Sequence, residues 1–332
     1  MEPEASAGPT VADLGEDALL AQIFPLLPRA AGTLLGPGDD AAVVAAPDAR
    51  VVVSTDVLVE GRHFRREWSS GEDVGRRAAV QNLADVAAMG ARPTALVVAL
   101  VVPPDVPVSW VLGLARGLAA ACGPEVGVVG GDLSGGSEVV VAVTVHGDLE
   151  GRAPVLRSGA RPGDVVAHAG VRGRSAAGLA LLTAGGDAAR AHPALVEAHL
   201  RPVSPLAAGP AAARAGATAM LDVSDGLVRD AGRLARASGV VVDLDDPLVA
   251  FGEDAVALAA AARKLGVDVR DWLLAGGEDH GLLAAFPAGG AVPAPFRPVG
   301  RVTAPTPGAP AGSVTVEGAA VRGPTGWDHF GG

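Results

Sequence analysis

Several residue types are scarce in this chain of 332 residues, and each scarcity excludes something. There is no tyrosine, and aromatic residues make up only 3% of the sequence. Cys122 is the only cysteine, which excludes an internal disulfide and a zinc site built on two cysteines of this chain, and which is typical of a reducing compartment. Lys264 is the only lysine and lies outside any glycine loop, so the lysine-containing phosphate-binding loop is absent.

Positive charge and long apolar runs are also lacking. The net charge of −11 argues against a nucleic acid or an anionic membrane held by a basic surface. No apolar run reaches the roughly 18–20 residues of a membrane span, and the strongest, residues 95–104, has the length of a buried strand. The first residues are acidic, whereas a signal peptide begins with basic ones. We therefore expect a soluble, cytoplasmic protein.

What the sequence does contain is an alternation of short β-rich runs and helical runs. Residues 70–90 form the clearest helical pattern, because Ser70 and Asp73 resemble a capping box and Gly90 suits a helix end. Residues 151–164 are loop-like and suggest a domain boundary. We predict an α/β fold with mixed sheets of the α+β kind, with an N-terminal domain at 16–150 and a C-terminal domain at 151–332.

The remaining pattern places further elements along the chain. Helical periodicity predicts helices at 15–28, 109–122, 175–183 and 227–237. Apolar, β-branched runs predict strands at 95–102, 126–132, 138–146, 165–169, 217–223 and 240–244. Residues 1–15, the proline-bounded 201–210 and the proline-rich 304–311 are expected to be loops.

Aspartates recur at strand ends and in glycine turns. They are Asp39 and Asp40 (GPGDD), Asp56 (STD), Asp132 (VGGD), Asp222 and Asp225 (LDVSD), and Asp85 on the helix at 70–90. Two carboxylates ~5 Å apart repel by roughly 3 kcal/mol, so a cluster needs cations or bound protons. Oxygen ligands without thiolates suit Mg2+ or Ca2+. One such aspartate is more often a turn or helix cap, but the set as a whole favours a metal site.

Four further residues are candidates, and each has an ordinary structural explanation. His63 follows a strand and a glycine turn, where a histidine is more often structural than functional. Arg157 lies in a loop, where an arginine is usually solvated. Glu278 lies in GGEDHG between apolar runs, which makes an unpaired surface role less natural. Trp327 is as compatible with core packing as with a ligand contact.

Ten motifs occur in a fixed order between residues 36 and 330. They are GPGDDAAVV, VVSTDVLVEGRHF, AVQNLADVAAMGARP, GVVGGDLSGG, VLRSGARPGD, SAAGLALL, HLRPVSP, LDVSDGL, AGGEDH and GWDHF. Through them the chain resembles the thiamine-monophosphate kinase family, which is part of the superfamily of aminoimidazole-ribonucleotide synthetase and selenophosphate synthetase.

The resemblance implies a two-domain fold of the aminoimidazole-ribonucleotide synthetase type. It implies a homodimer whose N-terminal domains pair through a β-barrel-like interface and form a groove for ATP. The implied reaction is ATP-dependent, in-line phosphorylation of thiamine monophosphate to thiamine diphosphate. It is carried out by a phosphotransferase with a phosphate group as acceptor, with several Mg2+ ions and no residue acting as general base.

The resemblance also implies a role for individual residues. The implied Mg2+ ligands are Asp40, Ser54, Thr55, Asp56, Asp85, Asp132, Asp222 and Asp225. The implied ATP contacts are Gly131, Asp132, Arg157 and Ser224. The implied contacts of thiamine monophosphate are His63, Glu278 and Trp327.

The chain departs from the family pattern in three places. The family usually reads GGEDYEL where this chain has His280 and Gly281 after Asp279, so an aromatic residue and a second acid are lost. The helix before GGD often carries a tyrosine near its end, and Cys122 stands about there. Trp327 lies where tyrosine is common.

Two alternatives remain open. Among the sister enzymes, selenophosphate synthetase would need a reactive cysteine or selenocysteine and an N-terminal lysine, and the hydrogenase-maturation relative would end in a cysteine. Aminoimidazole-ribonucleotide synthetase fits the fold, but HLRPVSP and GWDHF speak against it. The alternative from another class is a non-catalytic protein that binds magnesium and nucleotide, supported only by the altered GGED segment.

Overall fold

The computed structural model describes residues 8–37 and 41–327, and the chain divides into two compact units. Unit 1 comprises Met1–Leu83 and Pro93–Asp148, and unit 2 comprises Ala84–Arg92 and Leu149–Gly332. Unit 2 therefore includes a short stretch from the first half of the chain, which carries Asp85. The domain limits at 16–150 and 151–332 remain predictions. In the described part of the chain, no helix has the length and apolar character needed to cross a membrane.

Unit 1 combines helices with a mixed sheet. Its helices are α1 (Val11–Leu14), α2 (Glu16–Ile23, followed by a 3-10 turn at Phe24–Leu26), α3 (Gly71–Ala88, whose end belongs to unit 2) and α4 (Val108–Cys122). Its strands are β1 (Thr33–Leu35), β2 (Val43–Val44), β3 (Val52–Val59), β4 (Arg92–Val102), β5 (Gly127–Gly135) and β6 (Val140–Asp148).

The main sheet of unit 1 has the strand order β3-β6-β4-β5. β3 and β6 are antiparallel, whereas β4 and β5 are parallel. β3 and β5 are thus the two edge strands of this sheet, and each carries residues that the sequence analysis singled out. β1 and β2 form a separate antiparallel pair.

Helix α3 begins at the capping box that the sequence predicts. The backbone N–H of Ser70 donates to Asp73 Oδ2 at 2.8 Å, and the Asp73 N–H donates to Ser70 Oγ at 3.3 Å. Both bonds satisfy amide groups that have no partner within the helix. Gly90 follows the helix with a φ of +74°, a conformation that glycine adopts without steric cost.

Unit 2 contains the larger sheet. Its helices are α5 (Arg174–Ala184), α6 (Gly186–Ala191), α7 (Pro193–Leu200), α8 (Ala208–Arg214), α9 (Leu227–Ser238), α10 (Pro247–Ala250), α11 (Gly252–Leu265) and α12 (Val269–Ala275). Its strands are β7 (Val165–Ala169), β8 (Ala219–Val223), β9 (Val241–Leu244), β10 (Gly281–Phe286), β11 (Arg297–Thr303), β12 (Val314–Val316) and β13 (Ala319–Ala320).

These strands form a mixed sheet in the order β13-β12-β9-β11-β7-β10-β8. Alternate residues of β8 and β10 enter two different apolar clusters. Leu221 and Leu283 belong to one cluster, and Met220 and Leu282 belong to the other. Because successive side chains of a strand point to opposite faces, the sheet is covered on both sides.

Most predicted elements are confirmed, with ends shifted by a few residues. Two predicted loops were wrong in part. Residues 11–14 form α1, because Thr10 and Asp13 make a capping box that holds this single turn. Residues 201–210 include the start of α8 at Ala208, although Gly209 and Pro210 favour a loop in isolation.

Candidate functional site

The end of strand β8 carries the first acid of the candidate site. Asp222 is only 7% exposed and pairs with Leu282 of β10. All five residues of β8 are buried, so this carboxyl is shielded from water. Ser224, Asp225 and Gly226 follow and turn the chain into helix α9.

Two other segments of unit 2 are held next to this strand. The Met220 N–H donates to the Leu156 carbonyl oxygen at 2.9 Å, which places Arg157 alongside β8. The Val155 N–H donates to the Met89 carbonyl oxygen at 3.0 Å, so the end of α3 is held there as well. Ala87 and Ala88 pack in the same apolar cluster as Met220, and Asp85 lies less than one helical turn earlier.

The pKa of Asp222 reflects the charged groups that these segments bring close to it. Burial, together with the nearby carboxylates of Asp85 and Asp230, raises the pKa of Asp222 from 3.8 to about 7. A hydrogen bond with Ser224 and the Arg157 guanidinium oppose the rise. Asp222 is therefore an acid held partly protonated near neutral pH, and a cation bound next to it would lower its pKa and favour loss of the proton to water.

The turn after β8 is held by a shared arginine. The Asp225 N–H donates to Asp230 Oδ2 at 2.9 Å, and burial raises the pKa of Asp230. Arg233 lies 2.7 Å from Asp225 Oδ2 and 2.6 Å from Asp230 Oδ1. The Asp225 carboxylate thus has a cationic partner in the chain itself.

The two candidate substrate residues of unit 2 reach the same turn through their backbones. The Glu278 N–H donates to the Ser224 carbonyl oxygen at 2.7 Å, and the Trp327 N–H donates to the Asp225 carbonyl oxygen at 2.8 Å. The Trp327 residue is 59% exposed, so its ring is not part of the core. His280 is buried, with its Nε2 3.9 Å from Glu278 Oε2.

In unit 1, the candidate residues of strand β3 lie at an edge of the sheet. Thr55 Oγ1 donates to the Val143 carbonyl oxygen at 2.9 Å, and the Asp56 carboxylate is exposed and accepts the Val57 N–H at 2.7 Å. Ser54 precedes them on β3. His63 Nδ1 accepts the Val59 N–H at 3.0 Å, so a neutral ring carries its hydrogen on Nε2.

Asp132 and Gly131 lie on the opposite edge strand, β5. Both are exposed, and a Cβ atom at position 131 would overlap the Val98 carbonyl oxygen, so glycine is required there for packing. Two strands separate β3 from β5, so roughly 14 Å of sheet lies between Asp56 and Asp132 at a strand spacing of about 4.8 Å. One copy of unit 1 does not bring these two acids together.

The structure thus brings one group of the predicted residues together in unit 2. This group is Asp85, Arg157, Asp222, Ser224, Asp225, Glu278 and Trp327. The unit 1 residues Ser54, Thr55, Asp56, His63, Gly131 and Asp132 divide between two strands. Asp40 lies outside the described residues. Among residues 8–37 and 41–327, no group of three or more His, Cys, Asp or Glu side chains could by itself hold a metal ion.

Sequence reasoning missed the residues that support this group. The Asp230 carboxylate helps to raise the pKa of Asp222 and accepts the Asp225 N–H. In the sequence of α9, however, it looks like an ordinary helix acid. The spacing of Asp230 from Asp225 and from Arg233 along the chain is the sequence signal that could have indicated these contacts. Asp279 directly follows Glu278 and is 2% exposed, and only its position in the GGED motif pointed to it.

The chain is similar to known proteins over most of its length. The family models for the N-terminal and C-terminal domains of AIR synthase related proteins match residues 38–149 and 161–288. A thiamine-monophosphate kinase of Mycobacterium tuberculosis is 48% identical over 98% of this chain and 95% of its own. One of Corynebacterium glutamicum is 46% identical over 89% of this chain and 88% of its own.

The chain is also similar to solved structures. The complex of AaThiL with AMPPCP and TMP has a TM-score of 0.74 and 33% identity, covering 96% of this chain and 97% of that one. The hydrogenase maturation protein HypE with ATP has a TM-score of 0.66 at 20% identity, covering 92% of this chain and 90% of that one, and shows the shared fold alone.

The two matched domains define a two-domain protein of the AIR synthase related class. Within that class, the chain belongs to the thiamine-monophosphate kinase family.

Proposed function

We propose that this protein is a kinase that transfers a phosphoryl group from ATP to thiamine monophosphate and releases thiamine diphosphate and ADP. The observation that carries the proposal is the convergence of acidic, arginine, serine and tryptophan residues around the Ser224–Asp225 turn. A relative that carries the name of this activity matches 98% of the chain at 48% identity. The complex with AMPPCP, an ATP analogue, and with TMP pairs the same two kinds of ligand.

The oxygen donors of the site fit magnesium. Mg2+ in phosphoryl-transfer enzymes is held by one or two carboxylates together with phosphate oxygens rather than by an all-protein cage. Asp222 and Asp85 are such a pair, and a cation between them would relieve the repulsion that raises the pKa of Asp222. We propose that Mg2+ is held by Asp40, Ser54, Thr55, Asp56, Asp85, Asp132, Asp222 and Asp225.

The chain's own groups orient the two substrates and stabilise charge. The bond between the terminal phosphorus of ATP and its bridging oxygen breaks as a phosphate oxygen of thiamine monophosphate attacks in line. That acceptor oxygen is already ionised near neutral pH, so no side chain has to remove a proton. Arg157 and Ser224, with Gly131 and Asp132 in unit 1, are proposed to contact ATP. Mg2+ held by the proposed carboxylates would supply positive charge that offsets the charge of the phosphates.

The thiamine half of the acceptor is cationic and aromatic, and three residues suit it. Glu278 offers a carboxylate next to the turn, and the exposed ring of Trp327 can stack on the thiazolium or the pyrimidine ring. The neutral His63 ring carries its hydrogen on Nε2, a donor suited to an anionic or carbonyl-like group. We propose that these three side chains bind thiamine monophosphate.

We also propose that the protein is a homodimer paired through unit 1, with a β-barrel-like interface. Val53 and Val57 on β3, together with Val51 just before it, are 60%, 39% and 53% exposed. An exposed apolar edge strand favours pairing with another chain, and a second copy would supply further ATP-binding residues. Sedimentation should find a species of twice the 32.7 kDa chain mass, and a monomer at assay concentration would contradict the dimer.

With one buried cysteine and an acidic net charge, we place the protein in the cytoplasm, without a nucleic-acid or membrane partner.

A turnover assay tests the proposed activity. Incubation with ATP, thiamine monophosphate and Mg2+ should yield thiamine diphosphate and ADP in equal amounts, and chelation of divalent cations should stop the reaction and weaken ATP binding. Binding of Mg-ATP without product would instead identify a non-catalytic nucleotide-binding protein. If the protein formed the product of aminoimidazole-ribonucleotide synthetase and formed no thiamine diphosphate from thiamine monophosphate, it would be a sister enzyme.

Asp132→Asn should reduce kcat by about 100-fold or more, because it removes a carboxylate proposed to hold Mg2+, and such charge stabilisation contributes several kcal/mol. The fold should be unaffected, since Asp132 is exposed. Steady-state kinetics at saturating Mg2+ checks this, with the exposed Asp105→Asn on the same unit as the matched control. Near-normal turnover of Asp132→Asn would exclude the proposed role.

Trp327→Ala should raise the KM for thiamine monophosphate more than the KM for ATP. A cation–π contact contributes about 0.5–2 kcal/mol, which corresponds to about a 2- to 30-fold increase. The backbone bond from residue 327 to Asp225 does not depend on the side chain, so the tail should stay in place. Trp327→Phe should retain most of the affinity. Equal changes in both KM values would indicate that the ring packs rather than binds.

A further inference from the structure

The segment that carries Glu278 has an unusual backbone. Glu278 and His280 both have positive φ values, +67° and +51°, although neither is glycine. Such conformations are uncommon for residues with a side chain and persist only where the surroundings hold them. Something in unit 2 must therefore fix the residue between them, Asp279.

Asp279 is fixed by the start of helix α5. One carboxylate oxygen accepts the Gly173 N–H at 2.6 Å, and the other accepts the Ser175 N–H at 2.8 Å. These amides lie at the first turn of the helix and have no partner within it. Because both oxygens are used and the side chain is buried, Asp279 cannot turn without breaking two bonds.

Arg172 ties the same segment at a second point. Its guanidinium is fully buried, donates to the Gly276 carbonyl oxygen at 2.6 Å and lies 3.6 Å from Asp279. The Glu278 N–H donates to the Ser224 carbonyl oxygen at 2.7 Å. The peptide that carries Glu278 is therefore held before, at and after the residue, while its side chain remains 38% exposed.

We propose that Asp279 is a positioning residue that fixes the Glu278 carboxylate in place for thiamine monophosphate, and that Arg172 assists it. The inference rests on the proposed function. It accounts for how Glu278 keeps its position in a chain that lacks the tyrosine and the second acid usual after GGED. Asp279 itself touches neither substrate in this proposal.

The test is Asp279→Asn, in which the amide replaces one acceptor oxygen by an NH2 group, so one of the two amide bonds is lost. The KM and the calorimetric Kd for thiamine monophosphate should rise about tenfold, while the KM for ATP stays within about threefold. The matched control is Asp243→Asn, because Asp243 is also buried and accepts bonds from Thr315, the Gly318 N–H and Arg301. It lies on β9, several strands away from β8, and should cost stability without changing either KM.

Arg172→Lys provides a second variant if Asp279→Asn does not fold. It should give the same selective loss of affinity for thiamine monophosphate. Equal changes for both substrates, or no change, in variants that fold would overturn the positioning role. Absence of turnover and of thiamine monophosphate binding in the unaltered protein would instead contradict the proposed function, so the two failures are distinguishable.

Discussion

An Asp222→Asn variant should lose phosphoryl transfer and yet be more stable than the unaltered protein in the absence of ligands. Asp222 is buried at the end of β8 and lies close to the carboxylates of Asp85 and Asp230. Its charge is unfavourable there unless a cation is present. A neutral amide of similar shape removes the repulsion, but it also removes a proposed ligand of Mg2+.

The size and pH dependence of the stability change follow from the shifted pKa. A shift from 3.8 to about 7 corresponds to about 4 kcal/mol of unfavourable free energy when the carboxylate is fully ionised. The folded chain binds more protons than the unfolded chain between these two values, so the unaltered protein loses stability as the pH rises from about 4 to 7. Asparagine does not titrate, and its advantage should therefore be near zero at pH 4 and complete above pH 7.

Thermal unfolding across this pH range, with and without Mg-ATP, measures the effect. We expect the Tm of Asp222→Asn at pH 8 to rise by about 5–10 °C without ligand, and the stabilisation by Mg-ATP to shrink. Asp254→Asn is the matched control with the opposite sign, because Asp254 is also buried but lies 2.7 Å from Arg174 and 3.2 Å from Arg297. Loss of stability in Asp222→Asn at pH 8 would show that the carboxylate is compensated in the ligand-free chain.

The local elements could be predicted because their signals are local. The residues of the α3 capping box are close together in the sequence, as are those of the apolar run of β7, and both elements were placed correctly. Helices such as α8 and strands such as β12 depend on distant partners instead. The parallel pairing of β12 with β9 joins residues about 70 positions apart, and no short-range sequence pattern predicts it.

In the candidate site too, some features follow from local sequence signals and others depend on residues that are distant in the sequence. The position of Asp222 at the end of an apolar run predicted that it would be buried near other acids, and its environment agrees. The role of Asp230 could not be predicted, because a helix acid looks the same in sequence whether it faces solvent or the core. The separation of Asp56 from Asp132 could not be predicted either, since it depends on the order of strands in the sheet.

Gly281→Ala should destabilise the protein by about 3 kcal/mol, which is large for the addition of one methyl group. A Cβ atom at position 281 would lie 2.6 Å from His168 Nε2 and 2.7 Å from the Ala169 carbonyl oxygen. Neither neighbour can move easily. Ala169 pairs with Leu282 in the sheet, and His168 is fully buried with its ring packed edge-on against Phe251 at 5.4 Å.

This contact gives a physical reason for one departure from the family pattern, in which the position usually holds glutamate. Burial, together with Arg172 and Arg297, lowers the pKa of His168 well below its usual value, so the ring is neutral and offers no positive charge. A glutamate at 281 would overlap the His168 ring and the Ala169 carbonyl oxygen. Gly281→Glu should destabilise the protein at least as much as Gly281→Ala does.

Chemical unfolding of Gly281→Ala and of the double variant His168→Ala/Gly281→Ala separates the two contacts. The double variant should recover part of the lost free energy relative to His168→Ala alone, because two of the three close atoms belong to the imidazole ring. The Ala169 carbonyl oxygen stays, so recovery should be incomplete. Gly252→Ala is the matched control, since a Cβ there meets no atom within 4 Å and the backbone is not left-handed. If Gly281→Ala were as stable as this control, the His168 ring and the Ala169 carbonyl oxygen would not exclude a side chain at position 281.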